Sequence, residues 1–131
     1  MTHIKIFRHP FRSRSFIASL KLAAKGIVYL FLYHRNMRII FMLGLLAFLC
    51  GIFLKLKGIE LVALFLTVTL VYVAEMFNTA IELVIDMFLD KHHPSIKLIK
   101  DVSAGVVLIA SLNALAIGYI LFVKKIIALG K

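Results

Sequence analysis

A chain of 131 residues that is 63% hydrophobic, with a mean hydropathy of +1.03, has more apolar surface than a water-soluble fold of this size can hide, and so belongs in a bilayer. Its formal net charge of +10 would suit nucleic acid, but no nucleic-acid-reading motif accompanies it, and eight of the sixteen Lys and Arg precede residue 39. That asymmetry reads as a flank lying beside anionic headgroups, with no nucleic acid among the partners.

We read residues 1–131 as one membrane domain. Residues 1–12 are basic, contain Pro10, and are expected to form a mobile arm. A helix follows over 13–34, with Ser13 or Ser15 available as N-cap. It sets Arg14, Ala18, Lys21 and Lys25 on one stripe, opposite Phe16, Leu20, Ala23, Ile27 and Leu30. That pattern predicts an amphipathic helix lying in the membrane interface. A short fourth span is the alternative.

Three transmembrane helices are predicted at about 37–56, 59–89 and 98–123. The first is short unless Met37 and the stem of Lys55 are counted in through snorkelling. Cys50, the only cysteine, lies within it; it can form no internal disulfide and is expected to pack as a core thiol. The tight turn from Lys55 to Gly58 makes the second span antiparallel to the first, and the second is long enough to protrude. Asp90 to Ser95, containing Pro94, is expected to be a loop, and the third span ends before Lys124 and Lys125. The first strongly apolar run starts near Ile39, behind a basic segment too long for a signal-peptide n-region, so no cleavable leader is expected.

Orientation follows from where the positive charge lies. The amino-terminal segment and the 90–100 loop carry eleven Lys and Arg, against five in the first loop and the C-terminal tail. The former should face the cytosol.

The second span carries Glu75, Asn78, Glu82 and Asp86 among residues such as Leu64, Leu70, Met76, Ile81 and Ile85. At 100° per residue the four side chains fall within an arc of about 80°. Ionisable groups at membrane depth cost several kcal/mol and are retained for a pathway, a partner or chemistry. At the start of the third span Lys97, Lys100, Asp101 and Ala104 share a face, and Ala104 and Gly105 are small enough for a neighbouring helix to come close. A lysine, two aspartates and two glutamates would gather at the cytosolic interface. Carboxylates can hold Mg²⁺, a lysine can neutralise phosphate oxygens, and the deeper Glu75 could take a proton from a hydroxyl at the bilayer boundary. Metal, phosphate clamp and base are what phosphoryl transfer needs. Two other readings remain open. The stripe could hold helices together, as polar residues do in small membrane proteins. It could also belong to an ion or proton path, although residues 39–54 offer no polar continuation. No P-loop, glycine-rich kinase loop or kinase catalytic loop is present, so any nucleotide site is of another kind.

The run from Glu75 through Asn78 and Glu82 to Asp86 resembles the signature of the prokaryotic diacylglycerol kinase family of small integral-membrane lipid kinases. Lys100-Asp101-Val-Ser-Ala-Gly-Val-Val-Leu108 resembles that family's second signature. Ser15-Phe16 through Gly26, and Arg35-Asn36-Met37-Arg38, are similar to its more weakly patterned front end. The resemblance implies an all-α homotrimer in the bacterial inner membrane, each subunit having three spans and a surface helix. It implies phosphorylation of a lipid alcohol by MgATP at the cytosolic face. His93-Pro94 and Ala104-Gly105-Val-Val are closer to the undecaprenol kinase branch, which makes undecaprenol the first acceptor and diacylglycerol the second.

By position, the resemblance gives Glu75 the role of general base and Glu82 that of metal ligand. It places Lys100 and Asp101 in the nucleotide site, Asn78 and Asp86 in support, and Lys91, His92 and His93 nearby. One departure stands out. The family usually has a second metal-binding glutamate immediately before the Arg-Asn pair, where this chain has His34. Imidazole suits Mn²⁺ or Zn²⁺ better than Mg²⁺.

Overall fold

The computed structural model describes residues 15–88 and 94–130, and all regular structure among them is helical. Helix α1 (Phe16–Tyr33) starts where a serine can cap it: Ser15 Oγ accepts the Ala18 N–H at 3.2 Å. It stops at His34, whose extended backbone (φ −110°, ψ 112°) breaks the helix while its N–H still donates to the Leu30 carbonyl at 2.9 Å. Helix α2 (Arg35–Phe53) begins at the next residue. The last carbonyls of a helix lack helical donors and sit at its negative end. Arg38 Nη1 answers both conditions, donating to the Leu32 carbonyl at 2.9 Å and the Phe31 carbonyl at 3.4 Å. A side chain of α2 thereby caps α1.

Between α2 and helix α3 (Ile59–Phe88) the chain reverses through a Schellman closure. Leu56 N–H reaches the Gly51 carbonyl at 2.9 Å and Lys55 N–H the Ile52 carbonyl at 3.0 Å. Lys55 takes the left-handed conformation that this closure demands, φ 56°, although it has a Cβ. Leu56 then folds inward and is buried.

Helix α4 (Pro94–Gly118) starts at Pro94, four residues ahead of the expected third span, because the first helical position needs no N–H. Residues 94 and 95, expected in a loop, are therefore helical; residues 89–93 lie outside the described part. Past Gly118 the helix widens into one π-helical turn, Tyr119–Val123, and continues as α5 (Lys124–Leu129). The two lysines do not end the apolar stretch. Lys125 Nζ instead lies 2.9 Å from Glu60 Oε2 at the start of α3.

Two glycines set how closely α2 meets α3. A Cβ on Gly44 would strike the Tyr72 hydroxyl and Val68 Cγ1, and one on Gly51 would lie 2.9 Å from Leu64 Cδ2. The close approach expected at Ala104 and Gly105 is not made among the described residues: Ala104 is exposed and a Cβ on Gly105 would meet none of their atoms within 4 Å. Cys50, expected in the core, is exposed; the neighbouring Gly51 takes the inward position. Leu56, Leu64, Val68 and Leu121 form the apolar core, flanked by Ala47, Phe48 and Tyr72. Helices α3 and α4 run antiparallel, since Glu60 meets Lys125 at one end and Asp86 meets Lys100 at the other.

Four helical stretches, Phe16–Tyr33 among them, are long and apolar enough to cross a membrane by length and composition. The protein is an all-α membrane protein. In the isolated chain α1 buries only Leu30.

Candidate functional site

The polar stripe of α3 lies at the end of the helix away from the apolar core, and its four members differ in surroundings. Glu75 and Asn78 are buried, at 4% and 8% exposure, whereas Glu82 and Asp86 are exposed. A helix entering from an apolar bundle and leaving it toward water produces such a gradient.

Asn78 is the hinge of a short hydrogen-bonded chain. Its Nδ2 donates to Glu82 Oε1 at 3.1 Å, one helical turn on. Its Oδ1 accepts the hydroxyl of Ser103, from α4, at 2.8 Å. One turn nearer the helix end, Lys100 Nζ donates to Asp86 Oδ1 at 3.2 Å. Antiparallel packing of α3 on α4 lets Lys100 and Ser103, one turn apart, meet Asp86 and Asn78, which lie two turns apart; the long lysine side chain spans the difference. The Asp86–Lys100 pair is exposed and contributes little to stability; its worth is an ammonium fixed beside the Asp86 carboxylate.

Glu75 has no hydrogen-bond or ion-pair partner among the described residues. Of the buried polar residues beside it, Asn78 and Ser103 pair with each other, and Ser103 Oγ also lies 3.0 Å from the Lys100 carbonyl. Among the described residues no side-chain nitrogen or oxygen is both fully buried and without a hydrogen-bond partner, so the Glu75 carboxylate, on a residue only 4% exposed, keeps its small exposure at its oxygens.

The expected gathering is thus partly met. The structure joins Asn78 to Glu82 and Asp86 to Lys100. Asp101 faces outward, with no polar partner among the described residues. Lys91, His92 and His93 lie outside the described residues. His34 is half-buried, with its ring 5.9 Å from that of Tyr29. The α2–α3 register, in which Tyr72 bonds to the Phe41 carbonyl and Leu64 lies on Gly51, extends to bring His34 level with residues 78–82. No group of three or more His, Cys, Asp or Glu able to hold a metal occurs among the described residues. Mg²⁺ asks for less: it commonly takes one or two carboxylates, filling its sphere with water and phosphate oxygens. Glu82, with Oε1 engaged by Asn78 and Oε2 unengaged among the described residues, fits that donor set.

Ser103 was not singled out from the sequence, where a serine in an apolar helix reads as filler. The signal available was its position three residues after Lys100, which puts the two on one face.

Residues 21–122 match the family described as prokaryotic diacylglycerol kinase. The undecaprenol kinase of Bacillus subtilis is 37% identical over 78 residues, which is 60% of this chain and 63% of that protein. The diacylglycerol kinase of Synechocystis sp. is 33% identical over 114 residues, 86% of this chain and 65% of that protein. The chain thus spans less than two thirds of the length of either relative.

Proposed function

The chain belongs to the prokaryotic diacylglycerol kinase family, and we propose that it is a lipid kinase moving the γ-phosphate of ATP to a membrane lipid alcohol. The observation that carries this reading is Glu75, on a nearly buried residue and without a hydrogen-bond or ion-pair partner among the described residues, one turn from the bonds that join Asn78 to Glu82 and Ser103. A stripe that only held helices together would pair its deepest carboxylate, and among the described residues Glu75 has no such pair. An ion path would need ionisable positions beyond it, whereas the next turns of α3 bury Val68 and Leu64 in the apolar core and offer only hydroxyls, among them those of Thr67 and of Tyr72, which bonds to the Phe41 carbonyl.

The depth of each group supports a role. If Ile59 sits at the far edge of the hydrocarbon, Glu75 lies about 24 Å along α3, Glu82 about 35 Å and Asp86 about 40 Å. The hydrocarbon core is about 30 Å thick. Glu75 then waits just beneath the boundary, where a lipid hydroxyl resides, and Glu82 and Asp86 stand among the headgroups, where a nucleotide can reach. Inverting the assignment would leave a base with no hydroxyl to deprotonate.

In the reaction the lipid oxygen forms a bond to Pγ as the bond from Pγ to the bridging oxygen breaks and ADP leaves. Glu75 receives the hydroxyl proton. Lys100, fixed by Asp86, faces the phosphate oxygens, and Asp101, Lys91, His92 and His93 take part in binding the nucleotide. Glu82 would hold Mg²⁺, which supplies charge neutralisation to the phosphates when bound. The protein acts as a homotrimer in the inner membrane, with α1 on the surface, three spans across the bilayer and the polar end at the cytosolic face. Undecaprenol is the acceptor; the Bacillus relative's name supports it, and the Synechocystis relative's name supports diacylglycerol as the alternative.

The test is direct. Purified protein is given γ-labelled ATP, Mg²⁺ or Mn²⁺, and a panel of lipid alcohols. Label should enter undecaprenol faster than diacylglycerol; no transfer to any lipid alcohol overturns the reading.

A further inference from the structure

The geometry points to Ser103 as a positioning residue that sets the Asn78 amide and, through it, the Glu82 carboxylate. This rests on Glu82 being the cation ligand of the site. Ionised, Glu82 can only accept hydrogen bonds, so the Asn78 group 3.1 Å from it must be the NH₂. The Asn78 carbonyl is then turned toward α4, where it is buried and needs a donor. Ser103 supplies one at 2.8 Å. Ser103 is itself 5% exposed, so no water competes readily for its proton. The rival acceptor is the Lys100 carbonyl at 3.0 Å, the longer of the two contacts.

Each link in this chain has one sense. Remove the Ser103 hydroxyl and the buried Asn78 carbonyl loses its donor. Glu82 still favours the NH₂ on its side, but the amide is then held from one side only and turns toward another donor for its carbonyl, which loosens its bond to Glu82 Oε1. Glu82 would swing away toward water, which its exposure allows. Ser103 therefore acts on Oε1 of Glu82 from across the helix interface and leaves Oε2 to face the cation. Groups that orient a ligand in this way without touching the metal commonly change its affinity tenfold or more. The arrangement also locates the control of a surface ligand in the dry interior, where a hydrogen bond holds its geometry better than it could among headgroups.

Mn²⁺ alone is the probe, titrated against the full-length protein in detergent and read by the electron paramagnetic resonance of the free ion. Ser103→Ala should weaken Mn²⁺ binding roughly tenfold. Ser103→Thr, which keeps the hydroxyl, should restore it, and melting temperatures are taken on all three proteins. A serine that merely packs α4 against α3 would lower the melting temperature in the alanine variant and leave Mn²⁺ affinity where it was. Equal Mn²⁺ affinity in the parent protein and Ser103→Ala overturns the proposal. So does a threonine variant that melts with the parent protein yet binds Mn²⁺ no better than the alanine variant. Lipid phosphorylation is assayed separately on the parent protein. Absent turnover with the tenfold Mn²⁺ response intact would sink the kinase reading and leave the relay standing.

Discussion

The two ends of α3 are built on different principles. At the Ile59 end, glycines at 44 and 51 let α2 close on Tyr72, Val68 and Leu64, and contact is decided by shape. At the Phe88 end, contact is decided by hydrogen bonds: Ser103 to Asn78, Asn78 to Glu82, Lys100 to Asp86. In a bilayer, close packing holds helices together without any hydrophobic drive between them. The glycine end can therefore carry the fold, which leaves the polar end free to keep Glu75 without a partner among the described residues. Stability and chemistry are separated along one helix.

That separation can be broken most sharply at Glu75. Glu75→Gln keeps the shape and removes the basicity, so lipid phosphorylation should fall by roughly 10²–10⁴-fold with oligomer size unchanged and a melting temperature no lower than the parent's. Turnover within a few-fold of the parent protein would strike Glu75 from the base role. The converse experiment is Gly44→Leu, which drives a side chain into Tyr72 and Val68. Overpacking of this kind costs about 1–3 kcal/mol and should appear as a lower melting temperature, with the cation dependence of whatever folded protein remains unaltered. A loss of cation response at full stability would show that the two ends are coupled.

Lys55→Gly sharpens the comparison from the other side. The left-handed conformation at φ 56° costs a residue with a Cβ about 1 kcal/mol that glycine does not incur. The variant should melt higher, with lipid phosphorylation unaffected; an unchanged or lower melting temperature would place the stabilising role in the lysine's charge instead. The smallest effect is expected at His34. His34→Glu would add a hard oxygen level with Glu82, and the ratio of Mg²⁺- to Mn²⁺-supported rates should rise by roughly threefold. An unchanged ratio removes His34 from the cation's surroundings.

How much of this could be read from the residues varies with the kind of signal. The helices were legible because runs such as residues 59–88 are apolar and uninterrupted, and Ser15 announced its cap. The stripe was legible because polar residues in an apolar helix stand out at a fixed period. The packing face of α2 was not, because Arg35–Phe53 is apolar nearly all round, so nothing distinguishes the side that meets α3 from the side that meets lipid. Cys50 was assigned inward and Gly51 overlooked for that reason. The same blindness exchanged the close-packing roles of Gly105 and Gly44. Lys55 was read for its charge, whereas its backbone closes α2. At the site, periodicity gave the positions of Glu75 to Asp86, but their division of roles came from the resemblance. Ser103 was hidden by its small size.

The π-helical turn at Tyr119–Val123 bears on how this chain can change over generations. A wide turn holds a residue that a regular helix would not need, and each residue added or removed rotates everything after it by about 100°. Upstream of the turn, the facing of α4 is dictated by Lys100 and Ser103; downstream, by the bond from Lys125 to Glu60. The turn takes up the angular difference between those two demands. Single-residue insertions and deletions past Gly118 are thereby confined in their consequences to the last turns of the chain, and the face that meets α3 near the site keeps its phase while the tail drifts.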